Sequence, residues 1–362
     1  MKDNKLAFTF ASSEVNKIGQ QFIKIIELLT GKLILKKLYD QYLSENNPPE
    51  NFWNDAIKKL KLSVVSHYHS EKGIPKNGRL IVVANHAFGV ADGVTICSLI
   101  SKLRQDYKMI THKVLRQAEA VKEKIIPIDF SKTREAVKNN IEARKSAESH
   151  LNDNGLVVIF PSGQIATKNK ISKKIKADDG DWKQFTSKLA IKTSSPILPI
   201  FFEGENSQLF HIANKIGQTF RYSLMMYELK RKIGDTINLH IGEVIDFNQL
   251  KEIEDLLKID IGIYPLIDEK WVEGKSGLKA LQYMALGIPT VASNIGNTLE
   301  VINHMENGIL VNNDEEWLSA FLMLIDNLEL RKKIGINSKK TIIQQYSVEK
   351  IGQEYKKVLL LN

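Results

Sequence analysis

The sequence has little of several features that would assign a chain to a special class of protein. Its 362 residues contain one cysteine, Cys97, which excludes an internal disulfide framework and favours a reducing compartment. No stretch approaches the roughly 18 consecutive apolar residues that a membrane-spanning helix needs. The opening segment, "MKDNKLAFTFASSEVNK", is too polar for the apolar core of a signal peptide, so we expect none.

Several sequence patterns are missing as well. There are no internal repeats, no low-complexity tracts and no Cys/His spacing of the zinc-binding kind, so we expect no metal site. Because no basic stripe is interleaved with aromatic residues, we expect no nucleic-acid partner. The formal net charge of +9 nevertheless favours an anionic partner, such as an anionic membrane or an acidic carrier protein.

The hydrophobic pattern near the N-terminus is helical. Residues 22–43 carry apolar side chains at helical spacing with lysines between them, and Gly31 interrupts the run. Two helices that pack on a core would give this pattern, and so would a basic amphipathic surface that lies on anionic lipid. A loop at residues 45–53 leads into another helix.

Short apolar runs bounded by Gly, Pro or polar residues follow, and they predict strands. The predicted strands are residues 79–85, 108–111, 125–129, 155–161, 195–204 and 238–247. Helical stretches separate most of them, notably residues 132–152. Strands that alternate with helices predict an α/β fold with a largely parallel sheet flanked by helices.

The pattern restarts at about residue 248, which predicts a first domain over 1–247 and a second α/β domain over 248–362. In the second domain we predict strands at residues 259–266, 289–296 and 308–313. A helix over 277–287 ends at a glycine, and a helical tail begins with Asp314 as its N-cap.

One motif combines groups that can carry chemistry. In "IVVANHAFGVADG" an apolar strand stops at Asn85 and His86, and Asp92 closes the glycine-containing hexapeptide that follows. Histidine can take a proton from a hydroxyl, and a carboxylate on its other ring nitrogen fixes the tautomer. The loop after a strand is also where α/β folds bind ligands. The alternative is that both side chains satisfy hydrogen bonds of a turn.

The segment "NHAFGVADG" resembles the first motif of the lysophospholipid acyltransferase family, which is typified by the glycerolphosphate acyltransferases. Five residues separate His86 from Asp92, as in the subgroup often labelled hemolysin-like or ornithine-lipid-type, although Ala87 replaces that subgroup's proline. The resemblance implies that His86 and Asp92 are catalytic. It also implies that Asn85, Gly89 and Gly93 contact the substrate.

A second motif, "FPSGQIA", is similar to the family's FPEGTR and implies further substrate-binding residues. These are Phe160, Pro161, Ser162 and Gly163. Gln164 and Ile165 stand where the family has Thr-Arg, and that arginine is thought to hold the acceptor's phosphate. The departure weakens the expectation of simple lysophosphatidate as the acceptor, and Lys168 or Lys170 could supply the charge instead.

A third region, residues 181–210, resembles the late part of the subgroup. Its Pro196 and Pro199 match a Pro-x-x-Pro, although strand-edge geometry would also explain prolines there. Asn206 belongs to a matching Gly-x-Asn-Ser and is a candidate substrate-binding residue. Arg221 falls where the subgroup has an arginine; it could bind a phosphate or carboxylate in bidentate fashion, or pair with Glu228.

The resemblance covers roughly residues 15–247 and implies a membrane-associated O-acyltransferase. Such an enzyme moves a fatty acyl group from acyl-CoA or acyl carrier protein, as donor substrate, to a lysophospholipid or related lipid hydroxyl. The general base is the His/Asp pair, and no bound cofactor is expected. We expect a bacterial phospholipid-biosynthesis protein in the cytoplasm, peripheral on the inner face of the cell membrane.

The tail resembles the C-terminal half of a GT-B glycosyltransferase of the family-4 type, which implies a partial Rossmann-like unit. The two glutamate positions of that family's donor site hold Gly274 and Gln282. Lys275 and Lys279, near a helix start, could contact a diphosphate or be solvated. An acyltransferase precedes this region where a GT-B enzyme has its acceptor domain. The alternative function is a glycosyltransferase or glycolipid-assembly protein that uses this nucleotide-sugar-type region.

Overall fold

The computed structural model describes residues 9–11, 15–112, 115–116, 118–131, 133–168, 176–267 and 277–360. The chain divides into two compact units, Met1–Phe247 and Asn248–Asn362. Both units combine strands with helices, as predicted, and each is described by itself below.

The N-terminal helical pattern forms one continuous helical rod. Helix α1 (Lys17–Glu27) passes through a π-helical turn (Leu28–Lys32) into helix α2 (Leu33–Ser44). The prediction that Gly31 separates two helices is therefore wrong. Gly31 permits a close approach instead, because a Cβ atom at this position would lie 2.6 Å from the carbonyl oxygen of Met226.

A seven-stranded sheet forms the centre of the first unit. Its strands are β1 (Ser63–Tyr68), β2 (Leu80–Ala84), β3 (Tyr107–His112), β4 (Ile125–Ile128), β5 (Leu156–Ile159), β6 (Ile197–Phe202) and β7 (Thr236–Ile241). The spatial order is β1-β7-β6-β2-β5-β3-β4. All neighbouring pairs are parallel except β6 with β7, so the sheet is mixed.

The buried runs explain why this sheet was predictable. Strands β2 and β5 are buried at every residue, as expected for central parallel strands that are covered on both faces. All six predicted strands of this unit are confirmed. Four are shorter than predicted, β3 is one residue longer at each end, and β7 begins two residues earlier and ends at Ile241. Strand β1 was not predicted, because "SVVSHY" is half polar and lies exposed at the sheet edge.

Helices cover this sheet. They are α3 (Phe52–Lys59), α4 (Val90–Ser101), α5 (Arg134–Asn152), α6 (Phe185–Thr193), α7 (Gln208–Ile216), α8 (Gln218–Ser223) and α9 (Met225–Arg231), with 3₁₀ turns at Pro49–Asn51 and Glu119–Lys124. The predicted helix over 132–152 is confirmed as α5, whose N-cap Thr133 accepts a hydrogen bond from the Ala136 N–H.

Pro199 lies inside the sheet, so the strand-edge interpretation of this proline is wrong. Strand β6 has β2 on one side and β7 on the other. The ladder with β7 begins at Ile200, and Ile197 pairs with Ile245 through an isolated bridge. The missing N–H of Pro199 thus falls where the ladder is interrupted, which a proline tolerates.

The second unit holds a three-stranded parallel sheet in the order β10-β9-β8. Its elements are α10 (Phe247–Leu256), β8 (Gly262–Tyr264), α11 (Leu278–Leu286), β9 (Thr290–Ser293), α12 (Thr298–Val301), β10 (Ile309–Val311), α13 (Asp314–Asp326), α14 (Leu328–Thr341), a π turn (Ile342–Tyr346) and α15 (Val348–Leu360). The three predicted strands and the helix that ends at Gly287 are confirmed.

The N-cap prediction for the tail is off by one residue. Asn313 caps α13, since its side chain accepts the Glu316 N–H at 2.9 Å, and Asp314 is the first helical residue. The tail is also divided at Asn327. The side chain of Asn327 accepts the Leu330 N–H at 2.9 Å and starts α14.

Candidate active site

His86 and Asp92 meet at the carboxyl end of the central strand β2. His86 follows the strand after one residue, and Asp92 lies in the first turn of α4. The Nδ1 atom of His86 is 2.9 Å from Asp92 Oδ2. Asp92 is fully buried, whereas a fifth of the His86 side chain is exposed. The contact therefore places a buried carboxylate behind an accessible imidazole.

The same carboxylate oxygen also holds the loop between the two residues. Asp92 Oδ2 accepts the Phe88 N–H at 2.8 Å and the Gly89 N–H at 2.9 Å. Gly89 has a φ of +85°, which favours glycine, and a Cβ atom there would lie 2.9 Å from Ile165 Cδ1. The two N–H groups are committed to Asp92, so they are not the donors that stabilise an oxyanion.

Contacts on the backbone and ring of His86 fix its position. The His86 N–H donates to Asp179 Oδ2 at 3.2 Å, and its carbonyl accepts the Ala166 N–H at 2.7 Å. The imidazole lies against the ring of Phe160, with centroids 4.3 Å apart. Asp179 was not predicted from the sequence, because nothing in its polar loop distinguishes it from other surface carboxylates.

His86 lines a cavity of about 620 Å³. The polar side chains of its wall are Thr111, His112, Asn140, Arg144, Gln164, Lys183, Thr186, Asn214, Arg221 and Tyr222. No aspartate or glutamate of the described chain lines it. Three permanent cations, Arg144, Lys183 and Arg221, thus belong to a wall that no described acidic side chain lines, which favours an anionic ligand.

Arg221 is the predicted residue among these cations. Its Nη1 atom donates to Asn214 Oδ1 at 3.2 Å, and its guanidinium lies 5.5 Å from the centre of the Tyr222 ring. The alternative that Arg221 pairs with Glu228 is wrong. Glu228 accepts from Ser207 and forms an ion pair with Arg231 at 3.3 Å.

The cavity brings together six of the nine substrate-binding residues that the motifs implied. Gly89, Gly93, Phe160, Pro161, Gly163 and Arg221 line it. The other three, described next, lie outside its wall. The substrate contacts themselves stay predictions.

Asn85 and Ser162 have structural positions, whereas the buried side chain of Asn206 makes no hydrogen bond within the described residues. The Asn85 side chain bridges β2 to β6, as its amide donates to the Phe202 carbonyl at 3.0 Å and its oxygen accepts the Phe202 N–H at 2.7 Å. Ser162 is buried and its hydroxyl bonds to the main chain of Gln164. Asn206 is 4% exposed. Sequence matching cannot separate such scaffold residues from ligand contacts.

An unpredicted lysine, Lys183, lies beside the second motif. Lys168 is buried and pairs with Glu205 at 2.5 Å, which makes it unsuitable, and Lys170 lies outside the described residues. The main-chain N–H of Lys183 donates to the Pro161 carbonyl at 3.2 Å. Its side-chain Nζ atom would lie 3.4 Å from a Cβ atom placed on Gly163. The sequence carried no signal for this contact.

The C-terminal candidates are not assembled into a described site. Lys279 on α11 is 4.0 Å from Glu252 and lies over the ring of Tyr283 at 5.6 Å. Gln282 lies on the same helix and is partly buried, and Lys275 is outside the described residues. The expectation of a diphosphate contact stays a prediction.

A second, apolar pocket of about 170 Å³ adjoins the first. Its wall includes Leu35, Leu38, Tyr39, Tyr42, Phe52 and Trp53 from the N-terminal helices. Burial raises the pKa of Tyr39 and Tyr42, so both stay neutral phenols. Phe10, Val90, Gly93, Met109 and Leu115 line both pockets. The polar cavity and the apolar pocket therefore share a boundary.

Cys97 is excluded as a nucleophile. It is fully buried, its Sγ lies 3.7 Å from Met109 Sδ, and burial raises the pKa of its thiol. Within the described ranges, no group of three or more His, Cys, Asp or Glu could hold a metal ion. Over the same ranges, no helix is both long and apolar enough to cross a membrane.

Comparison with family models gives two matches. Residues 39–256 match the model described as "Acyltransferase", and residues 226–327 match that described as "Glycosyl transferases group 1". The acyltransferase match covers more than half of the chain and includes His86, Asp92 and all the cavity-lining residues except Phe10. The glycosyltransferase match covers the start of the second unit and overlaps the first.

The curated relatives are likewise of two kinds, an acyltransferase and a glycosyl-transferring enzyme. A "Lyso-glycine lipid O-acyltransferase" from Phocaeicola vulgatus is 26% identical over 183 residues, which is 48% of this chain and 62% of the relative. An "N-acetyl-alpha-D-glucosaminyl L-malate synthase" from Bacillus anthracis is 27% identical over 124 residues, 33% of this chain and 32% of the relative. The chain thus spans less than two thirds of the length of either relative.

Solved structures include proteins of both kinds. The 1-acyl-sn-glycerophosphate acyltransferase from Thermotoga maritima has 18% identity and a TM-score of 0.33, with 66% of this chain and 95% of that chain covered. The C-terminal domain of a group 1 glycosyl transferase from Francisella tularensis has 26% identity and a TM-score of 0.24, with 34% and 61% covered. On the family-model match, this chain belongs to the acyltransferase family, with a glycosyltransferase-like C-terminal region.

Proposed function

We propose that this acyltransferase moves a fatty acyl group from an acyl thioester, carried by CoA or acyl carrier protein, to the hydroxyl of an anionic lysolipid. His86 is the general base. The observation that carries the proposal is the 2.9 Å contact between His86 Nδ1 and Asp92 Oδ2, at the wall of a cavity large enough for lipid head groups.

The contact determines which ring nitrogen reacts. With Nδ1 donating to Asp92, Nε2 keeps its lone pair and takes the proton from the acceptor hydroxyl. The acceptor oxygen attacks the thioester carbonyl and gives a tetrahedral oxyanion. Collapse of this intermediate breaks the carbon–sulfur bond, and the thiolate leaves with the proton from His86. An ester and a free thiol result, and no enzyme nucleophile is needed.

The cations of the cavity support an anionic acceptor. Arg144, Lys183 and Arg221 favour a phosphate or carboxylate on the lysolipid, because guanidinium and ammonium groups bind such anions through charge-assisted hydrogen bonds. The name of the Phocaeicola vulgatus relative specifies a lyso-glycine lipid. We therefore place a lysolipid with an amino-acid carboxylate first among the acceptors.

The apolar pocket is the proposed binding site of the acyl chain. It adjoins the cavity that holds His86, and its wall is aromatic and aliphatic apart from Lys59 and Thr9. An acyl chain bound there removes apolar surface from water, at about 0.8 kcal/mol per buried CH₂ group. The thioester carbon would then lie beside His86 while the chain occupies the pocket.

An exposed apolar surface supports docking on a membrane. We call it the N-terminal apolar surface; it comprises Ile18, Ile25, Leu28, Leu29, Leu33 and Ile34 of the helical rod. Ile18 is 83% exposed and Leu29 is 75% exposed. Lys17, Lys24, Lys32, Lys36 and Lys37 lie on the same rod. This combination favours an anionic bilayer surface, and we propose the inner face of the cell membrane.

The N-terminal apolar surface lies close to the cavity. Phe22 of α1 contacts Phe220 of α8 with ring centroids 5.1 Å apart. Ile212, Ile216 and Phe220 add exposed apolar side chains nearby. Arg221, the next residue of α8, lines the cavity. A lysolipid in the bilayer could therefore reach His86 by a short path.

The experiment is acyl transfer from radiolabelled acyl-CoA and from labelled acyl carrier protein into a total lipid extract. We expect a labelled lipid with an anionic head group from at least one donor. No labelled product from either donor would overturn the proposal. Nucleotide-sugar binding by the residue 248–362 unit would then become the question.

A further inference from the structure

Phe10 lies at the boundary between the polar cavity and the apolar pocket. It is one of the five residues that line both. Its partly buried side chain packs against the main core of the first unit and against the cluster formed by Phe210, Leu224 and Met225. Among the five boundary residues, Phe10 contributes the one aromatic ring.

A buried carboxylate holds Phe10 in this position. Glu27 of α1 is fully buried. Its Oε1 atom accepts the Phe10 N–H at 2.6 Å and its Oε2 atom accepts the Thr9 hydroxyl at 2.6 Å. Thr9 Oγ1 also accepts the Ala11 N–H at 3.1 Å. Both oxygens of Glu27 are thus used to attach the short segment that carries Phe10.

A buried carboxylate is costly to desolvate unless its hydrogen bonds are made. Lys32 Nζ is 4.0 Å from Glu27 Oε2 and offsets part of its charge. The two hydrogen bonds from residues 9 and 10 supply the remaining direct contacts that the structure gives this group. These two hydrogen bonds offset much of the free energy of desolvating Glu27. The burial of Glu27 therefore favours the conformation in which the Phe10 segment is held in place.

We propose that Phe10 is a specificity-determining residue for the acyl chain, and that Glu27 is its positioning residue. The inference rests on the proposed function. A chain that runs from a thioester beside His86 into the apolar pocket crosses the boundary on which Phe10 lies. The Phe10 ring takes up space at this boundary, so it should disfavour a methyl branch there.

The substitution Phe10→Ala removes the ring and leaves more space at the boundary between the polar cavity and the apolar pocket. We expect the ratio of branched to straight products to rise about tenfold, the scale on which an apolar site discriminates by one methyl group. Phe10→Leu should raise it less. Glu27→Ala should raise it in the same direction, because the Phe10 segment loses both of its acceptors.

The assay is a competition. The enzyme receives a mixture of straight-chain and methyl-branched acyl donors of equal carbon number, and products are quantified by mass spectrometry. The product ratio is independent of how much protein is folded. Phe201→Ala is the matched control, since Phe201 is 54% exposed and lines neither pocket.

The double variant tests the positioning role. If Glu27 acts through Phe10, the Phe10→Ala/Glu27→Ala variant should show the ratio of Phe10→Ala alone. Independent multiplication of the two effects would overturn the role of Glu27. If Glu27→Ala fails to fold, the Phe10 variants still test the role of Phe10. A wild-type product ratio in Phe10→Ala would overturn the proposal that Phe10 determines acyl-chain specificity. Absence of transfer by the wild type would instead overturn the proposed function.

Discussion

A single oxygen of Asp92 serves both the imidazole of His86 and the loop beside it. Asp92 Oδ2 lies 2.9 Å from His86 Nδ1 and accepts the N–H groups of Phe88 and Gly89. The loop conformation that brings the two residues together is thereby fixed by the same carboxylate oxygen that contacts the His86 ring.

Replacing Asp92 with Asn should separate these two roles. An amide oxygen can still accept the loop N–H groups, but it no longer stabilises the charged imidazolium. We expect kcat to fall about a thousandfold or more, with the fold retained. Asp326→Asn is the control, because Asp326 is an exposed carboxylate on α13 and does not line the cavity. An Asp92→Asn enzyme within tenfold of the wild type would exclude this role of the carboxylate.

The cations of the cavity should determine acceptor affinity. Replacing Lys183 or Arg221 with Ala should raise KM for an anionic lysolipid about tenfold, because a charge-assisted hydrogen bond is lost. The effect on a neutral acceptor should be smaller. Lys188→Ala is the control, since Lys188 is exposed on α6 and does not line the cavity. Equal KM values in all variants would contradict an anionic head group at this site.

Membrane docking should depend on the N-terminal apolar surface. We expect Ile18→Asp/Leu29→Asp to lower binding to phosphatidylglycerol vesicles about tenfold or more in a flotation assay, because two exposed apolar side chains are lost. Leu318→Asp/Leu322→Asp on α13 alters a similarly exposed pair and should bind like the wild type. Loss of binding in both double variants, or in neither, would refute a specific docking surface.

Glu27 should give the first unit a measurable pH dependence. Burial raises its pKa above the usual 4.5, although the hydrogen bonds from Thr9 and Phe10 oppose the shift. The folded protein therefore binds this proton more readily than the unfolded chain does. The resulting contribution to the free energy of unfolding is fully present below pH 4.5 and is lost as pH rises through the raised pKa.

Denaturation across that window checks this directly. Trp53 reports on the first unit when Trp182, Trp271 and Trp317 are replaced by Phe. In this background, Glu27→Gln should remove the fall in unfolding free energy with rising pH that the parent shows. An unchanged pH profile in Glu27→Gln would rule out the carboxyl as its source.

Much of the fold and the centre of the site were predictable from local sequence. The strands β2 and β5 are apolar throughout, and the motif that carries His86 follows β2 directly. Helix α4 was not predicted because ten of its twelve residues are buried, so it lacks an amphipathic period. Strand β1 was missed because its residues are half polar and mostly exposed, so they lack the apolar pattern of a buried strand.

The rest of the site depends on long-range packing. Arg144 lies on the mostly exposed helix α5, where a surface arginine is the ordinary expectation. Lys183 reaches the second motif only through the folded path of the chain. The contact between Phe10 and Glu27 joins a segment without secondary structure to a helix 17 residues away. No residue spacing indicates such contacts in advance.

The central claim is that His86 is the base for acyl transfer. The most direct measurement is the rate of labelled acyl transfer by His86→Ala beside the wild type, with His69→Ala as the control at an exposed histidine outside the cavity. We expect a loss of about a thousandfold or more in His86→Ala and a wild-type rate in the control. Transfer by His86→Ala at the wild-type rate would contradict it.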